Sequence, residues 1–291
     1  MKIVRICGGL GNQMFQYALA VALKEAKKTE EVYIDYSVMR GYPHHEGYLL
    51  DKIFNTDIPQ APISKIITVG WPLPYYRIWQ IGSKILPVRK SMVLDRSGDA
   101  FRSDVFDNRD MLLDGYWQSP LYFDKYSSAI RKSFEFRNSD CNPRNIDFIN
   151  KIKGKVSVSL HVRRGDYLSY SSITGVCSVD YYNKAIKLIK KMINPDLFVV
   201  FSDDQCWCRE NLSDVLSACS IFVDWNRGIE SYRDMQLMSY CSHNIIANSS
   251  FSWWGAWLNR NPTKIVIAPS QWMNYDGWKD ILPDSWMKIG I

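Results

Sequence analysis

Between residues 156 and 268 the hydrophobic period switches back and forth between two and about 3.6 residues, and this alternation constrains the fold more than any other feature of the chain. Val156 to Val162 reads as a strand, with Val156, Val158, Leu160 and Val162 on one face. Asp180 to Ile193 reads as a helix with Tyr182, Ile186, Ile189 and Ile193 on one face. Leu197 to Phe201 and the short Ile221 to Val223 read as strands, Ile229 to Cys241 as a helix, and Asn244 to Ala247 as another strand. Phe251 to Leu258 reads as a helix and Lys264 to Ala268 as a strand. A strand that must return parallel to its predecessor needs a crossover, and a helix is the usual one, so the pattern predicts a parallel α/β sheet. The opening repeats it: a strand from Lys2 to Cys7, a glycine turn, a helix with Met14, Tyr17 and Val21 on one face beside Ala18 and Ala22, and a strand from Val32 to Tyr36. Lys24, Lys27 and Lys28 sit near the end of that helix, where cations are favoured.

A chain of 291 residues exceeds one typical domain. The expected division is residues 1–150 and 151–291, near a polar connection over 138–145. Residues 40–115 are interrupted by Pro43, Pro59, Pro62, Pro72, Pro74 and Pro87 and read as an irregular packed insertion. Within it Trp71, Tyr75, Tyr76 and Trp79, with Arg77 among them and Lys84, Arg89 and Lys90 beyond, also suit a lid, an acceptor wall or a peripheral membrane contact. The net charge of +6 reads as mild and spread along the chain. It carries no nucleic-acid signature and suits an anionic small substrate or an acidic membrane surface. Seven cysteines, an odd number in a long chain, do not predict a disulfide framework, and Cys206 and Cys208 lie too close for a zinc knuckle. The first residues read as a strand rather than a signal peptide, and no uncharged apolar run reaches the ~18 residues of a membrane span. A cytoplasmic protein with reduced thiols is the expectation.

Four clusters carry chemistry, all at or just beyond predicted strand ends, where open parallel sheets bind ligands. In His161-Val162-Arg163-Arg164-Gly165-Asp166-Tyr167 two adjacent guanidiniums can grip a diphosphate with paired hydrogen bonds. Asp166 can either hold an arginine in place or act as a base. In Asn248-Ser249-Ser250-Phe251, Ser249 or Ser250 can cap a helix whose free amides suit a phosphate. Phe251, Trp254 and Leu258 of that helix read as core, and the glycosylation sequon at Asn248 is discounted because the segment reads as buried. At Phe201-Ser202-Asp203-Asp204 a carboxylate can accept from a purine or a ribose hydroxyl, or simply cap the next helix; two acids alone are a weak metal signal. At Gly8-Gly9-Leu10-Gly11-Asn12-Gln13 the glycines allow close approach of backbone, and Asn12 or Gln13 can hydrogen-bond sugar or phosphate. Met14 stands where a dinucleotide fingerprint needs glycine, which argues against an oxidoreductase.

The segments Gly8 to Ala18, His161 to Tyr167 and Ser250 to Leu258, with Gly115-Tyr116-Trp117-Gln118-Ser119 and Tyr122-Phe123, together resemble the α1,2-fucosyltransferase family. The resemblance runs in the same order from residue 8 to about residue 258, whereas the arginine motif alone is shared with α1,6- and protein O-fucosyltransferases. It implies an α/β, GT-B-like architecture of two Rossmann-like halves facing a central cleft. It further implies GDP-β-L-fucose as donor, inversion at the anomeric carbon, and no metal or other cofactor. Residue by residue, Arg163 would bind the β-phosphate, with His161 and Arg164 shaping its loop. Ser249, Ser250 and Phe251 would border the nucleotide, and Asp203 or Asp204 the guanosine. Arg163, Asp166 and Asn12 are the catalytic candidates, Asn12 lying across the cleft near the fucose. Gly11, Gln13, Trp117 and Gln118 would form the acceptor side. A membrane anchor of the animal Golgi type is not seen, so the chain is similar to bacterial members, with a galactoside-containing glycan or lipid-linked oligosaccharide as acceptor. Fucosylation with another linkage and non-catalytic binding on the same fold are the alternatives.

Overall fold

The computed structural model describes residues 1–42, 46–95, 100–137, 142–169, 175, 177–216, 219–274 and 277–290. Pro43, Cys141 and the first part of the polar connection lie outside the described residues. The chain divides into two compact units, Met1–Arg137 with Gly277–Ile281, and Asn138–Asp276 with Leu282–Ile291. The boundary therefore falls earlier than residue 150. The cause is the helix Pro143–Ile152, which Asn142 caps by accepting from the Arg144 amide at 3.0 Å. Its Phe148 and Ile152 pack with Leu197, Val199 and Phe201 of the second unit.

The first unit holds a parallel sheet of β1 (Lys2–Arg5), β2 (Val32–Asp35), β3 (Met92–Leu94) and β4 (Met111–Asp114) in the order β2-β1-β4-β3. Two of these strands, and the helices Leu50–Ile53, Ile63–Val69 and Tyr76–Ile85, lie in the stretch expected to be irregular. Met92-Val93-Leu94 and Met111-Leu112-Leu113 are short apolar runs without alternation, which the prolines around the first of them obscure. Gly8 turns the chain from β1 into the helix Leu10–Ala26 with φ +83°, where a side chain would be strained. That helix is buried from Leu10 to Leu23 apart from Asn12, far beyond the single face its pattern implied. At the end of β1, Arg5 is fully buried and joins three segments. Its Nε meets Asp35 of β2 at 3.2 Å, its Nη1 meets Asp114 of β4 at 2.7 Å, and its Nη2 donates to the Trp71 carbonyl at 3.1 Å.

The second unit holds β5 (Ser157–Val162), β6 (Leu197–Ser202), β7 (Ser220–Val223), β8 (His243–Ile245), β9 (Val266–Pro269) and β10 (Met287–Ile289), all parallel, in the order β10-β9-β8-β5-β6-β7. Counted from β5, this is the doubly wound order, in which the chain starts in the middle and reverses between the first and fourth strands. β5 is buried on both faces because helices cover both sides of the sheet; Val156, outside it, is exposed. β10 went unread because Met-Lys-Ile has no pattern. The helix expected over 229–241 is a 3-10 turn, Gly228–Ser231, followed by the α-helix Tyr232–Tyr240. The helix Ser250–Leu258 is buried all round beyond its first turn, so Trp253 and Trp257 join Trp254 in the core while Phe251 is only partly covered. A Cβ on Gly255 would sit 3.0 Å from Met238, which fixes how closely this helix meets Tyr232–Tyr240. Lys264 ends it by donating to the carbonyls of Ala256 and Asn259 at 2.6 and 2.7 Å.

Among the described residues Cys7, Cys177, Cys208 and Cys241 are buried free thiols, and Cys206 and Cys219 are exposed. No helix among them is long and apolar enough to cross a membrane. Arg5→Met would leave Asp35 and Asp114 facing each other without a cation. Removing one partner of a buried ion pair costs about 3–5 kcal/mol, so urea denaturation should show the first unit unfolding at distinctly lower denaturant. An unchanged midpoint would mean that the pair does not hold β1, β2 and β4 together.

Candidate active site

In a doubly wound sheet the crevice opens at the carboxyl ends of the strands flanking the reversal, here β5 and β8. β5 ends in His161 and Val162 and hands the chain to Arg163 and Arg164; β8 leads to Asn248 and the helix beginning at Ser250. The arginine motif, the serines and the acid pair after β6 are therefore brought together by the order of the strands.

Asp203 organises the cluster. Its Oδ1 accepts from the Arg164 backbone amide at 2.9 Å, and its Oδ2 pairs with Arg163 Nη1 at 3.1 Å. A Cβ on Gly165 would lie 2.8 Å from that Oδ2, so only glycine leaves the carboxylate its place. Arg163 Nη2 pairs with Asp166 at 2.7 Å, and its guanidinium lies 5.5 Å from the centre of the Tyr167 ring. Arg164 pairs through Nε with Asp204 at 3.2 Å and stacks over Trp207 at 4.2 Å. Asp204 also caps the helix Gln205–Leu212, accepting from the Trp207 amide at 3.1 Å. Of the readings of the acid pair, the cap is seen at Asp204, while Asp203 orients the arginines. Among the described residues no group of three or more His, Cys, Asp and Glu has the arrangement of a metal site.

His161 is almost fully buried, 5.9 Å from the Phe251 ring, and its Nδ1 has no partner among the described residues. Burial, opposed by Asp203 and reinforced by Arg163, lowers its pKa to about 3, so the imidazole is neutral at physiological pH. Tyr167 donates to the Asn248 carbonyl at 3.2 Å and ties the β5 loop to the β8 loop. Asn248 is buried; its Nδ2 donates to the Trp272 carbonyl at 3.0 Å and its Oδ1 takes the Cys177 thiol, an environment with no room for a glycan at the sequon. Ser249 stands at the N-cap, but its side chain makes no cap hydrogen bond, contrary to the expected capping. The first-turn amides of Ser250 and Phe251 have no acceptor within the helix, as in any helix start.

In the first unit Asn12 and Gln118 meet, Gln118 Nε2 donating to Asn12 Oδ1 at 2.6 Å. Two other acceptor-side candidates are buried. Gln13 is fully buried: its Nε2 donates to the Gly8 and Gly47 carbonyls, both at 2.9 Å, and its Oε1 accepts from the Leu49 amide at 3.1 Å. Trp117 is fully buried at φ +54°, its amide held by Asp95 at 2.7 Å, and its ring Nε1 has no partner among the described residues. Gly11 is buried in the first turn of its helix. Sequence reading missed Trp207, Tyr167 as a tie, and Gln16, which accepts from the Cys7 amide and donates to the Gly115 carbonyl. Trp207 had a usable signal: an aromatic in the first turn after a capping Asp faces the same strand end.

The fold and this cluster define a GT-B-like glycosyltransferase, and comparison with known proteins fixes the family. The family model described as Glycosyl transferase family 11 matches residues 97–289. The chain is 32% identical over 294 residues to an Escherichia coli protein named Alpha-1,2-colitosyltransferase, covering 99% of this chain and 98% of that one. It is 29% identical over 274 residues to the Oryctolagus cuniculus Galactoside alpha-(1,2)-fucosyltransferase 2, covering 90% and 68%. In fold it is similar to the NodZ alpha-1,6-fucosyltransferase soaked with GDP-fucose, with a TM-score of 0.51 and 16% identity over 88% of this chain and 91% of the other. The chain belongs to Glycosyl transferase family 11, the family of the α1,2-fucosyltransferases.

His161 makes stability depend on pH with a definite sign. Between pH 6.5 and about 3 the unfolded chain takes up a proton that the folded chain refuses, so stability falls as the pH is lowered through this window. Against a His161→Gln variant, the wild type should lose about 1 kcal/mol more per pH unit below about pH 6. Urea titrations at neutral and mildly acid pH measure the difference, and parallel losses in both proteins would show that His161 titrates normally.

Proposed function

We propose that this enzyme transfers L-fucose from GDP-β-L-fucose to a glycan hydroxyl, O2 of a terminal galactoside, with inversion and without a metal. The observation that carries the reading is the orientation of Arg163 by two carboxylates, Asp166 and Asp203, at the end of β5 beside the reversal of the sheet. Breaking the sugar–phosphate bond builds negative charge on the departing GDP. A guanidinium already aimed by its neighbours and the free amides at the start of Ser250–Leu258 stabilise that charge without reorganising, so this cleavage does not call for Mg²⁺. His161, neutral with an unpartnered Nδ1, leaves one buried polar atom for the ligand to satisfy. The 2.7 Å pair with Arg163 favours Asp166 as the residue that holds the arginine over Asp166 as the base. Asn12 and Gln118 form the acceptor-side pair.

The α1,2 linkage is supported by the names of the relatives above, and so is a second reading of the donor. The E. coli relative is named for colitose, which is L-fucose without its 3-hydroxyl. Incubation with GDP-fucose or GDP-colitose, a panel of galactosides and a panel of other glycans, followed by NMR of the product linkage, separates the two. Turnover that survives EDTA supports the metal-free mechanism. Loss on chelation that Mg²⁺ or Mn²⁺ restores would overturn it, and transfer to O6 or to a protein hydroxyl would overturn the linkage.

Arg163→Lys keeps the charge but loses the planar fork. It should lower kcat on the order of 100-fold with a smaller change in GDP-fucose binding, since the contact strengthens in the transition state. Arg163→Ala should be worse still, yet remain folded by circular dichroism, because the side chain is partly exposed and its partners Asp166 and Asp203 are too. A folded Arg163→Ala enzyme with near wild-type kcat would make the arginine cluster structural.

A further inference from the structure

The charge of this chain is not spread evenly, as the sequence first suggested. Residues 58–94 contain Lys65, Arg77, Lys84, Arg89 and Lys90 and no Asp or Glu, within a chain whose whole net charge is +6. The same stretch exposes apolar side chains in a regular pattern. On the helix Tyr76–Ile85, Ile78, Ile81 and Ile85 fall at i, i+3 and i+7 on one face, and Ile81 and Ile85 are 61% and 72% exposed. An adjoining side is anchored: Gly82 lies against Leu73, and Trp79 packs on Cys7, Val38 and Met39. The helix Ile63–Val69 likewise buries Ile66 and Val69 and exposes Ile63 and Ile67.

Arg89 ties the helix Ile63–Val69 to the chain that follows Tyr76–Ile85. It donates to the Ile67 carbonyl at 2.7 Å and lies 3.7 Å from the centre of the Trp71 ring, whose Nε1 donates to the Pro87 carbonyl at 2.9 Å. The exposed Val88 sits between this clamp and Ile85 in the chain. Lys65 is already matched by Glu31. Arg77, Lys84 and Lys90 have no acidic partner among the described residues, and Arg77, Lys84 and Lys90 are all exposed.

We propose that this face docks on an anionic phospholipid bilayer. Ile63, Ile67, Ile78, Ile81, Ile85 and Val88 would enter the boundary between headgroups and acyl chains, while Arg77, Lys84 and Lys90 meet the lipid phosphates. The charge selects this occupant. A symmetric contact between two copies would bring the same acid-free stretch against itself and set cations beside cations. A nucleic acid would leave the isoleucine tips in water.

The test is co-sedimentation of the full chain with vesicles of phosphatidylethanolamine and phosphatidylglycerol, and with vesicles of phosphatidylcholine alone. Binding is expected only to the anionic vesicles and should weaken as salt is raised. Two double variants probe the two halves of the surface, Ile81→Asp with Ile85→Asp, and Arg77→Gln with Lys84→Gln. The first should reduce binding at least tenfold, the second roughly fivefold for each cation removed. Circular dichroism checks that both are folded, which their exposure favours. Absence of binding to anionic vesicles, equal binding to both lipids, or variants that bind like the wild type would overturn the proposal. A dimer in sedimentation equilibrium that Ile81→Asp with Ile85→Asp dissolves would assign the face to a second copy instead. None of these readouts requires sugar transfer, so the result stands or falls apart from the proposed reaction.

Discussion

The carboxylate of Asp203 is the interaction on which the arginine cluster depends. It sits at the end of β6 and reaches the neighbouring strand's loop twice, through the Arg164 amide and the Arg163 guanidinium. The register of β5 against β6, with Val162 opposite Ser202, sets this reach. Shifting that register by one residue would turn the side chains of β5 to the other face and carry Arg163 away from Asp203. The burial of β5 on both faces is what makes such a slip costly. The precision of the cluster is thus inherited from the hydrophobic core beneath it, in which Val158, Leu160 and Val162 pack with Ile186, Val200 and Ile245.

The parts of this fold that could be read in the sequence are those with long, regular signals. β5, β6 and the helix Val179–Met192 were found almost to the residue, because a strand of six residues and a helix of fourteen carry their period in full. β3 and β4 are short apolar runs without alternation in a stretch broken by prolines, and β10 is Met-Lys-Ile, so nothing local marks them. They become strands because β1 offers an edge to β4, β4 to β3 and β9 to β10, a tertiary cause that no local pattern records. The site shows the same division. The arginines, acids and serines were legible as chemistry at strand ends. Which of them spend their hydrogen bonds inside the protein was not. Gln13 and Asn12 are adjacent in the chain, yet Gln13 points into a buried loop junction and Asn12 meets Gln118.

The first unit shows why its motif takes the form it does. Gln16 bridges the Cys7 amide and the Gly115 carbonyl, so the glycine turn and the Gly115-to-Ser119 segment are cross-linked through one side chain. Asp95 then holds the Tyr116 and Trp117 amides, and a Cβ on Gly115 would meet Asp95 at 2.4 Å. These contacts force Trp117 into the left-handed region and bury its ring, and Gln118 emerges beside Asn12. Two segments far apart in the chain thereby bring two amide side chains together.

The charge balance of the arginine cluster bears on how it would handle a diphosphate. Two guanidiniums face three carboxylates, Asp166, Asp203 and Asp204, so the cluster formally carries a charge of −1. A patch of that sign does not attract GDP-sugar by Coulomb's law at a distance. On the proposed reading, recognition rests on direction instead: N–H groups of Arg163 and Arg164 already held in place, with amides of the Ser250–Leu258 helix start beside them, aimed before the ligand arrives. The carboxylates have two effects on this. They remove the cost of ordering two long side chains, and they keep the ground-state affinity for the diphosphate moderate. Charge that grows on the leaving group as the bond breaks is then stabilised more than the charge already present in the bound donor, which is the difference that lowers a barrier.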